Sequence, residues 1–506
     1  MVMVLYTRPP TVEVYQGDLF TSPCESLIVP VFQSPDGKPV VDAVRDLDRG
    51  GQLKGASDLG FFKAGVGEVF KVYVDGKLVI YVGLGRFDDE WFRLLENARR
   101  GIAGGVKQVV ESARCSLLVL SRLNPDVARE ALIAALLASY RLEAFTSERR
   151  RLIEKVLVDR GDLDLGYVLA VVEGVYLARD MANAPPHELP PRRLADMVKE
   201  LFSKHPNVVV EVFDFDRLVK EGFGGIVSVG KGSSEKPAMI MLHYRGSSEP
   251  PLALVGKTVV FDTGGINIKT GESIVYMRSD KAGGAAVLGA IWALSKLNLK
   301  ANIVGLIPAV INVPSGESYL PSDIIRMWDG TVVEVTNTDA EGRLIIGDAI
   351  AYAAKALNAR EIVDLATLTG AIVVALGPLI AGLFTRDERL REELLEASRR
   401  TGEKLWPMPM EDDYKQWLTK GAMVGDIANA GQRVGGAIYG ALFLERFSHG
   451  KPYAHLDIAG PGMGYEASGI APAYWPDKGL APGYGVRLII EYVLSRIEKP
   501  RAQASS

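Results

Sequence analysis

The sequence predicts an α/β protein of about two or three domains. Three observations carry that expectation. Val-, Ile- and Leu-rich runs that suit strands alternate along the chain with longer runs that suit helices. The 506 residues exceed what one hydrophobic core ordinarily organises. Between residues 185 and 191 four prolines fall within seven residues, a rigid crossing where one domain gives way to the next. With 48% hydrophobic and 24% charged residues, the composition is that of a globular chain. A net charge of −4 creates no field that would gather nucleic acid or an anionic membrane, so neither is expected as a partner.

Taken in order, strand-like runs at 11–15, 26–32, 77–82 and 116–120 alternate with a helix-like run at 91–112, which makes residues 1–160 an α/β domain. No chemistry-bearing motif falls within it. The first ten residues have no basic region before their short apolar run and no cleavage site after it, so no signal peptide is expected. Cys24 and Cys115 are the only cysteines, far apart and outside any paired motif. They are expected as small buried apolar residues in a reducing, cytoplasmic compartment, not as a disulfide. The longest apolar stretch, 371–384, is interrupted by Gly377, Pro378 and Gly382 and is too short to span a bilayer. No internal repeat is present.

Helix-like runs at 127–145 and 165–181 lead to the crossing, and 161–191 is read as a linker. Residues 192–500 form the second domain, and 501–506 a tail. This domain opens with an amphipathic helix at 192–205 and strand-like runs at 208–213 and 238–244. His187, His205, His243 and His449 read as surface or packing residues.

One stretch of the second domain collects charge: Asn337-Thr338-Asp339-Ala340-Glu341-Gly342-Arg343-Leu344, between a β-branched run at 331–336 and a helix-like run at 345–357. In an extended connection alternate side chains share a face, so Asp339, Glu341 and Arg343 would point one way. Alone, such a triplet also fits a solvated loop or a helix N-cap. A second cluster upstream argues for more. Asp262 closes an apolar strand and is followed by Thr263-Gly264-Gly265, a turn that lets the chain pass close to whatever the carboxylate holds. Asp280 stands just before a helix-forming run at 282–297. Ligand crevices of open α/β sheets lie at the carboxyl ends of strands, so the four carboxylates are expected to meet there.

Four carboxylates suit two divalent ions, because a bridging Asp or Glu screens the repulsion between them. No histidine falls in either cluster, which argues against a His-rich zinc site. Lys257 could join the ligands only as a neutral amine. Val255-Gly256-Lys257-Thr258 has the look of a phosphate-binding loop, but Pro251 stands where that loop needs glycine, and a strand follows instead of a helix. Gly230-Lys231-Gly232-Ser233-Ser234 fails likewise.

The stretches 255–269, 277–286 and 337–344, together with 364–370, Asp426-Ile427-Ala428-Asn429 and 455–460, resemble the leucyl aminopeptidases, also called cytosol aminopeptidases. The likeness runs from about residue 178 to the C-terminal helix; the N-terminal third matches only in general character. It implies an N-terminal macro-like α/β domain followed by a larger α/β catalytic domain, with a mixed central sheet flanked by helices. It further implies a two-metal aminopeptidase that releases N-terminal residues from peptides, preferring Leu and Met within a broad specificity. Asp262 and Glu341 would bridge two divalent ions, Mn or Zn. Lys257 and Asp280 would complete one of them, and Asp339 the other. Lys269 would serve as electrophile, and Arg343 would hold a bicarbonate that shuttles the proton. Met277, Thr367, Leu368, Gly370 and Ala459 would line the pocket for the first side chain. A homohexamer is implied as well.

Two departures stand out. Lys281 occupies a position where the family commonly has an apolar residue or Met, and residues 481–487 carry Ala-Pro-Gly-Tyr before Gly-Val-Arg. His455 and Asp457 read as a structural hydrogen-bonded pair, with metal ligation the alternative. Two other classes remain: a two-metal phosphoesterase, and a non-catalytic homologue that binds peptide or nucleic acid. Retention of all seven polar positions argues against the second.

Overall fold

The structure is a computed structural model and describes residues 7–147, 152–432, 434–477 and 479–498. The expected tail lies outside them. The chain divides into two compact units, one of Thr7–Tyr176 with Ile470–Asp477, the other of Leu177–Gly469 with the C-terminal segment.

In the first unit, β1 (Thr11–Val14), β2 (Ser26–Gln33), β3 (Val69–Val74), β4 (Lys77–Arg86), β5 (Cys115–Leu118) and β6 (Lys155–Val158) form one sheet in the order β1-β6-β5-β2-β4-β3. All neighbours are parallel except β3 and β4. β2 is buried over most of its length, as expected of a parallel strand covered on both faces. The helix Trp91–Lys107 presents Leu95, Ala98, Ile102 and Val106 to the interior, a spacing that keeps one face apolar.

The cysteine expectation is corrected here. Cys24 and Cys115 form a disulfide, with Cα atoms 4.5 Å apart across 91 residues of sequence. Strands β2 and β5 are parallel neighbours with Ser26 opposite Ser116, and this register brings the two thiols together. A crossover order of that kind cannot be read from cysteine spacing.

In the second unit, nine strands form a mixed sheet: β7 (Val208–Phe213), β8 (Ala238–Arg245), β9 (Leu252–Gly256), β10 (Thr258–Asp262), β11 (Asn302–Asn312), β14 (Glu361–Ala366), β15 (Ile380–Thr385), β16 (Lys404–Pro407) and β18 (Tyr453–Asp457). The path runs β16-β15-β18-β14-β9-β11-β8-β7, with β10 paired to β11. A small separate sheet holds β12 (Ile324–Arg326), β13 (Val332–Glu334) and β17 (Ile427–Ala428). β9, β11, β14 and β18 run parallel and are almost wholly buried. The helices Ala282–Lys296 and Gly342–Lys355 contact β9, β11 and β14. Both helices are buried on nearly every side; the first is apolar all round, while Gly342–Lys355 also buries Arg343 and Asp348. Gly283 and Gly284 let the first approach closely, because a Cβ at either would collide with Leu365 O or Thr258 Oγ1. That approach places the helix start, and Asp280 before it, at the carboxyl end of the sheet.

Candidate metal centre

Asp262 is the last residue of β10, held opposite Asn312 at the end of β11. Its Oδ1 accepts hydrogen bonds from Gly264 N and Asn312 Nδ2, both at 2.9 Å. Gly264 and Gly265 have φ of +87° and +65°, the left-handed turn that glycine adopts without strain. Lys257 sits between β9 and β10, and its main-chain N donates to Leu365 O of β14.

The connection after β13 is not extended. Asp339 N donates to Asn337 Oδ1, and Glu341 already has helical φ and ψ as the N-cap of Gly342–Lys355. The turn still keeps Glu341 close enough to act electrostatically on both Asp339 and Arg343. Loop 336–340 is instead tied by side chains. Asn429 Oδ1 accepts from Thr336 N at 2.8 Å and Asn337 N at 3.2 Å, and its Nδ2 donates to Asn337 O at 2.7 Å. Thr338 Oγ1 donates to Gly264 O at 2.7 Å and accepts from Asn267 N at 2.8 Å, locking this loop to the glycine turn. Asn312 Nδ2 also donates to Thr338 O. Thr338 and Asn429 lie in stretches that carry the family likeness, but their role as pins was not legible from sequence. An asparagine closing an apolar strand at Asn312 is the signal that was available.

Ligand oxygens of Asp262, Asp280 and Glu341 lie within 4.8 Å of one another, and all three residues are buried. Two ammonium groups stand among them. Lys257 Nζ is 2.8 Å from Asp280 and 3.0 Å from Glu341, and donates to Thr367 O at 2.8 Å. Lys269 Nζ is 2.9 Å from Asp262 and 2.5 Å from Asp339, whose side chain is about a third exposed. Thr367 Oγ1 donates to Asp280 Oδ1 at 2.6 Å.

Burial, with Asp262 and Glu341 adding repulsion and Lys257 opposing them, pushes the Asp280 carboxyl up to about 7. Asp339 is raised to about 6 by burial and Glu341, against the pull of Lys269. Asp262 is raised by burial and by Glu341. For Glu341 burial is outweighed by Lys257 and Lys269, which hold it below the usual range. Burial opposes the charge on both lysines, yet the surrounding carboxylates hold their pKa values above the ordinary lysine value. Two lysines do not balance four carboxylates. Asp280 Oδ2 is buried and makes no hydrogen bond despite its ion pair with Lys257. An oxygen-rich, charge-deficient cluster of this kind fits divalent cations.

Arg343 donates through Nη1 to Asn429 O at 2.8 Å and lies over the Tyr439 ring at 5.6 Å; its buried Nε has no hydrogen-bond partner. Met277, Thr367 and Ala459 are buried, Leu368 is half-buried, and Gly370 is exposed at the start of the helix Gly370–Leu376. Lys281 turns away from the carboxylates. Its Nζ donates to the carbonyls of Ala184, Val260 and Arg278. His455 and Asp457 do not pair. They project from one face of β18, while the register sets Asp364 of β14 opposite His455, and Nδ1 bonds Asp364 Oδ1 at 2.8 Å.

Residues 176–490 match the model of the cytosol aminopeptidase family, catalytic domain. A probable cytosol aminopeptidase of Aeropyrum pernix is 57% identical, covering 98% of this chain and 99% of that protein. Among solved structures, a mutant of tomato leucine aminopeptidase matches with a TM-score of 0.83 and 30% identity, covering 97% of this chain and 98% of that one. The bottromycin maturation enzyme BotP in complex with Mn matches at 0.81 and 31%, covering 93% and 99%.

Proposed function

The chain belongs to the cytosol aminopeptidase family and is a metallo-exopeptidase, and from that premise we propose that it releases residues one at a time from the N-terminus of peptides. The observation that carries this reading is the buried convergence of Asp262, Asp280 and Glu341 around Lys257 and Lys269. Asp262, Asp280, Asp339 and Glu341 would hold two divalent ions, Mn or Zn, and Lys257 would join them on losing the proton that the carboxylates otherwise keep on it. Once bound, the ions supply Lewis-acid polarisation and a water of lowered pKa.

The chain's own residues do the rest. Lys269 keeps its ammonium through the surrounding carboxylates and offers it to the oxygen on which charge develops. Arg343 stays protonated and cannot act as the base, so it works by holding an anion, bicarbonate, with its Nε free of any other hydrogen-bond partner. Met277, Thr367, Leu368, Gly370 and Ala459 surround the first side chain. An apolar pocket discriminates neighbouring sizes by only about 1–3 kcal/mol per methylene, which gives a broad preference for Leu and Met.

The relatives' names support a cytoplasmic place, against which the Cys24–Cys115 disulfide stands, and the homohexamer rests on the family likeness alone. No helix among the described residues is long and apolar enough to cross a membrane. The test is a mass-spectrometric time course of a Leu-rich hexapeptide and its N-acetylated twin with Mn²⁺. Stepwise loss from the free N-terminus and an inert twin are expected. Internal fragments, or equal cleavage of the twin, would overturn the reading.

A further inference from the structure

Asp457 ends β18 and is fully buried. Its Oδ1 accepts hydrogen bonds from Leu368 N at 3.1 Å, Thr369 N at 3.4 Å and Ala459 N at 3.3 Å, and its Oδ2 accepts from Thr369 Oγ1 at 2.6 Å. Thr369 Oγ1 in turn accepts from Ile372 N at 3.2 Å and caps the helix Gly370–Leu376. The donors come from two segments that follow different strands. Thr367 to Gly370 leaves β14, and Ile458 to Ala459 leaves β18. Ile372 and Ala459 belong to one apolar cluster with Phe384, Ala437 and Ala441, so the clamp sits at its edge.

Four donors offset part of the cost of burying this carboxylate, whose pKa burial still raises above the usual range, and cutting one donor leaves charge less satisfied. The segments it joins are those given above to the pocket for the first side chain. Backbone pairing ties the two segments where they leave the sheet, since Ile458 N donates to Ala366 O at 2.8 Å. Beyond that bond, Asp457 is the side chain whose hydrogen bonds join Leu368 and Thr369 to Ala459.

We propose that Asp457 is a positioning residue that fixes the width of the first-side-chain pocket and so sets the enzyme's discrimination among N-terminal residues. The proposal rests on the aminopeptidase reading. No hydrogen bond described joins Asp457 to a metal ligand, though its charge acts on Arg343. Its loss lets the walls part, so large side chains lose their apolar contact while small ones lose little.

The experiment measures kcat and KM for Ala, Leu, Met and Phe amides with saturating Mn²⁺, in the wild type and in Asp457→Asn, Thr369→Val and Thr369→Ser. Asp457→Asn and Thr369→Val are expected to raise KM for Leu and Met amides about tenfold, with kcat and metal content near wild type, the change a loosened apolar pocket produces. Ala amide should change less than about twofold, so the Leu-to-Ala ratio of kcat/KM collapses. Thr369→Ser keeps the hydroxyl and should keep the ratio. If Asp457→Asn does not fold, Thr369→Val against Thr369→Ser decides. An equal fall for all four amides, or unchanged ratios in the folded variants, overturns the clamp while leaving the aminopeptidase reading intact. A wild type that hydrolyses none of the amides overturns both.

Discussion

The metal centre and the cluster of Asp364, His455 and Asp457 are both buried in the same sheet, and both contain several ionisable groups, yet their charges are managed in opposite ways. Around Asp364 every carboxylate oxygen has a donor: Tyr453 OH at 2.6 Å and His455 Nδ1 at 2.8 Å. Asp457 accepts from Leu368, Thr369 and Ala459, though burial still raises it and the buried His455 Nε2 has no hydrogen-bond partner. At the metal centre three carboxylates face one another within 4.8 Å, and Asp280 Oδ2 has no hydrogen bond. Buried charge alone does not mark a cation site. Uncompensated like charge does.

The largest effect separates the clusters by function. Dialysis against a chelator should abolish amide hydrolysis and leave the fold intact by circular dichroism, with Mn²⁺, Zn²⁺ or Co²⁺ restoring activity, because oxygen-rich sites discriminate weakly among these ions. Full activity in protein verified as metal-free would remove the distinction drawn above. Next comes Lys269→Ala, which should lower kcat by a factor of about 100 to 1,000, the usual effect of losing one donor to developing negative charge. Both metals should stay bound. Metal loss in that variant would move Lys269 from the reaction to the scaffold.

How much of this was legible in the sequence follows from the same contrast. Asp262, Asp280, Asp339 and Glu341 could be found because acidic residues interrupting apolar runs at strand ends are anomalous in local sequence. The α/β alternation was legible for the same local reason. Asn312 was not, nor was the pinning role of Thr338 and Asn429, since their partners lie far along the chain and an isolated polar residue has no periodicity. The Cys24–Cys115 bridge depends on β2 and β5 being neighbours, a fact of strand order. Lys281 stood out only as a departure from the family pattern, because its direction is set by the carbonyls of Ala184, Val260 and Arg278, of which only the last is close in sequence. The His455 pairing failed because same-face neighbours on one strand are farther apart than residues opposite each other on adjoining strands.

The two clusters should also respond oppositely to loss of a carboxylate in metal-free protein. Asp364→Ala removes the partner of a buried imidazole and a buried phenol, and should destabilise by about 3–5 kcal/mol. Asp262→Asn removes one of several crowded like charges and should leave stability unchanged or raise it. Urea unfolding of both variants reads the difference. A large loss in both would mean that the lysines already compensate the metal centre.

The smallest effect is the pH dependence of the compensated cluster, and it tests whether Asp364 keeps His455 charged. Burial works against the imidazolium, but Asp364 and then Asp457 outweigh it, while Arg343 opposes them, and the net pKa is raised. A histidine raised on folding stabilises fully below its unfolded pKa of about 6.5, and that contribution is lost as pH rises through the folded value. Stability of the metal-saturated protein should therefore decline over that window. In Asp364→Ala burial dominates and depresses the histidine, so the slope contributed by His455 should vanish or change sign. Comparing slopes, not midpoints, keeps the test independent of the variant's overall loss of stability. Parallel pH profiles in the two proteins would mean that His455 is neutral in both, and that the cluster is held by ordinary hydrogen bonds with no ion pair.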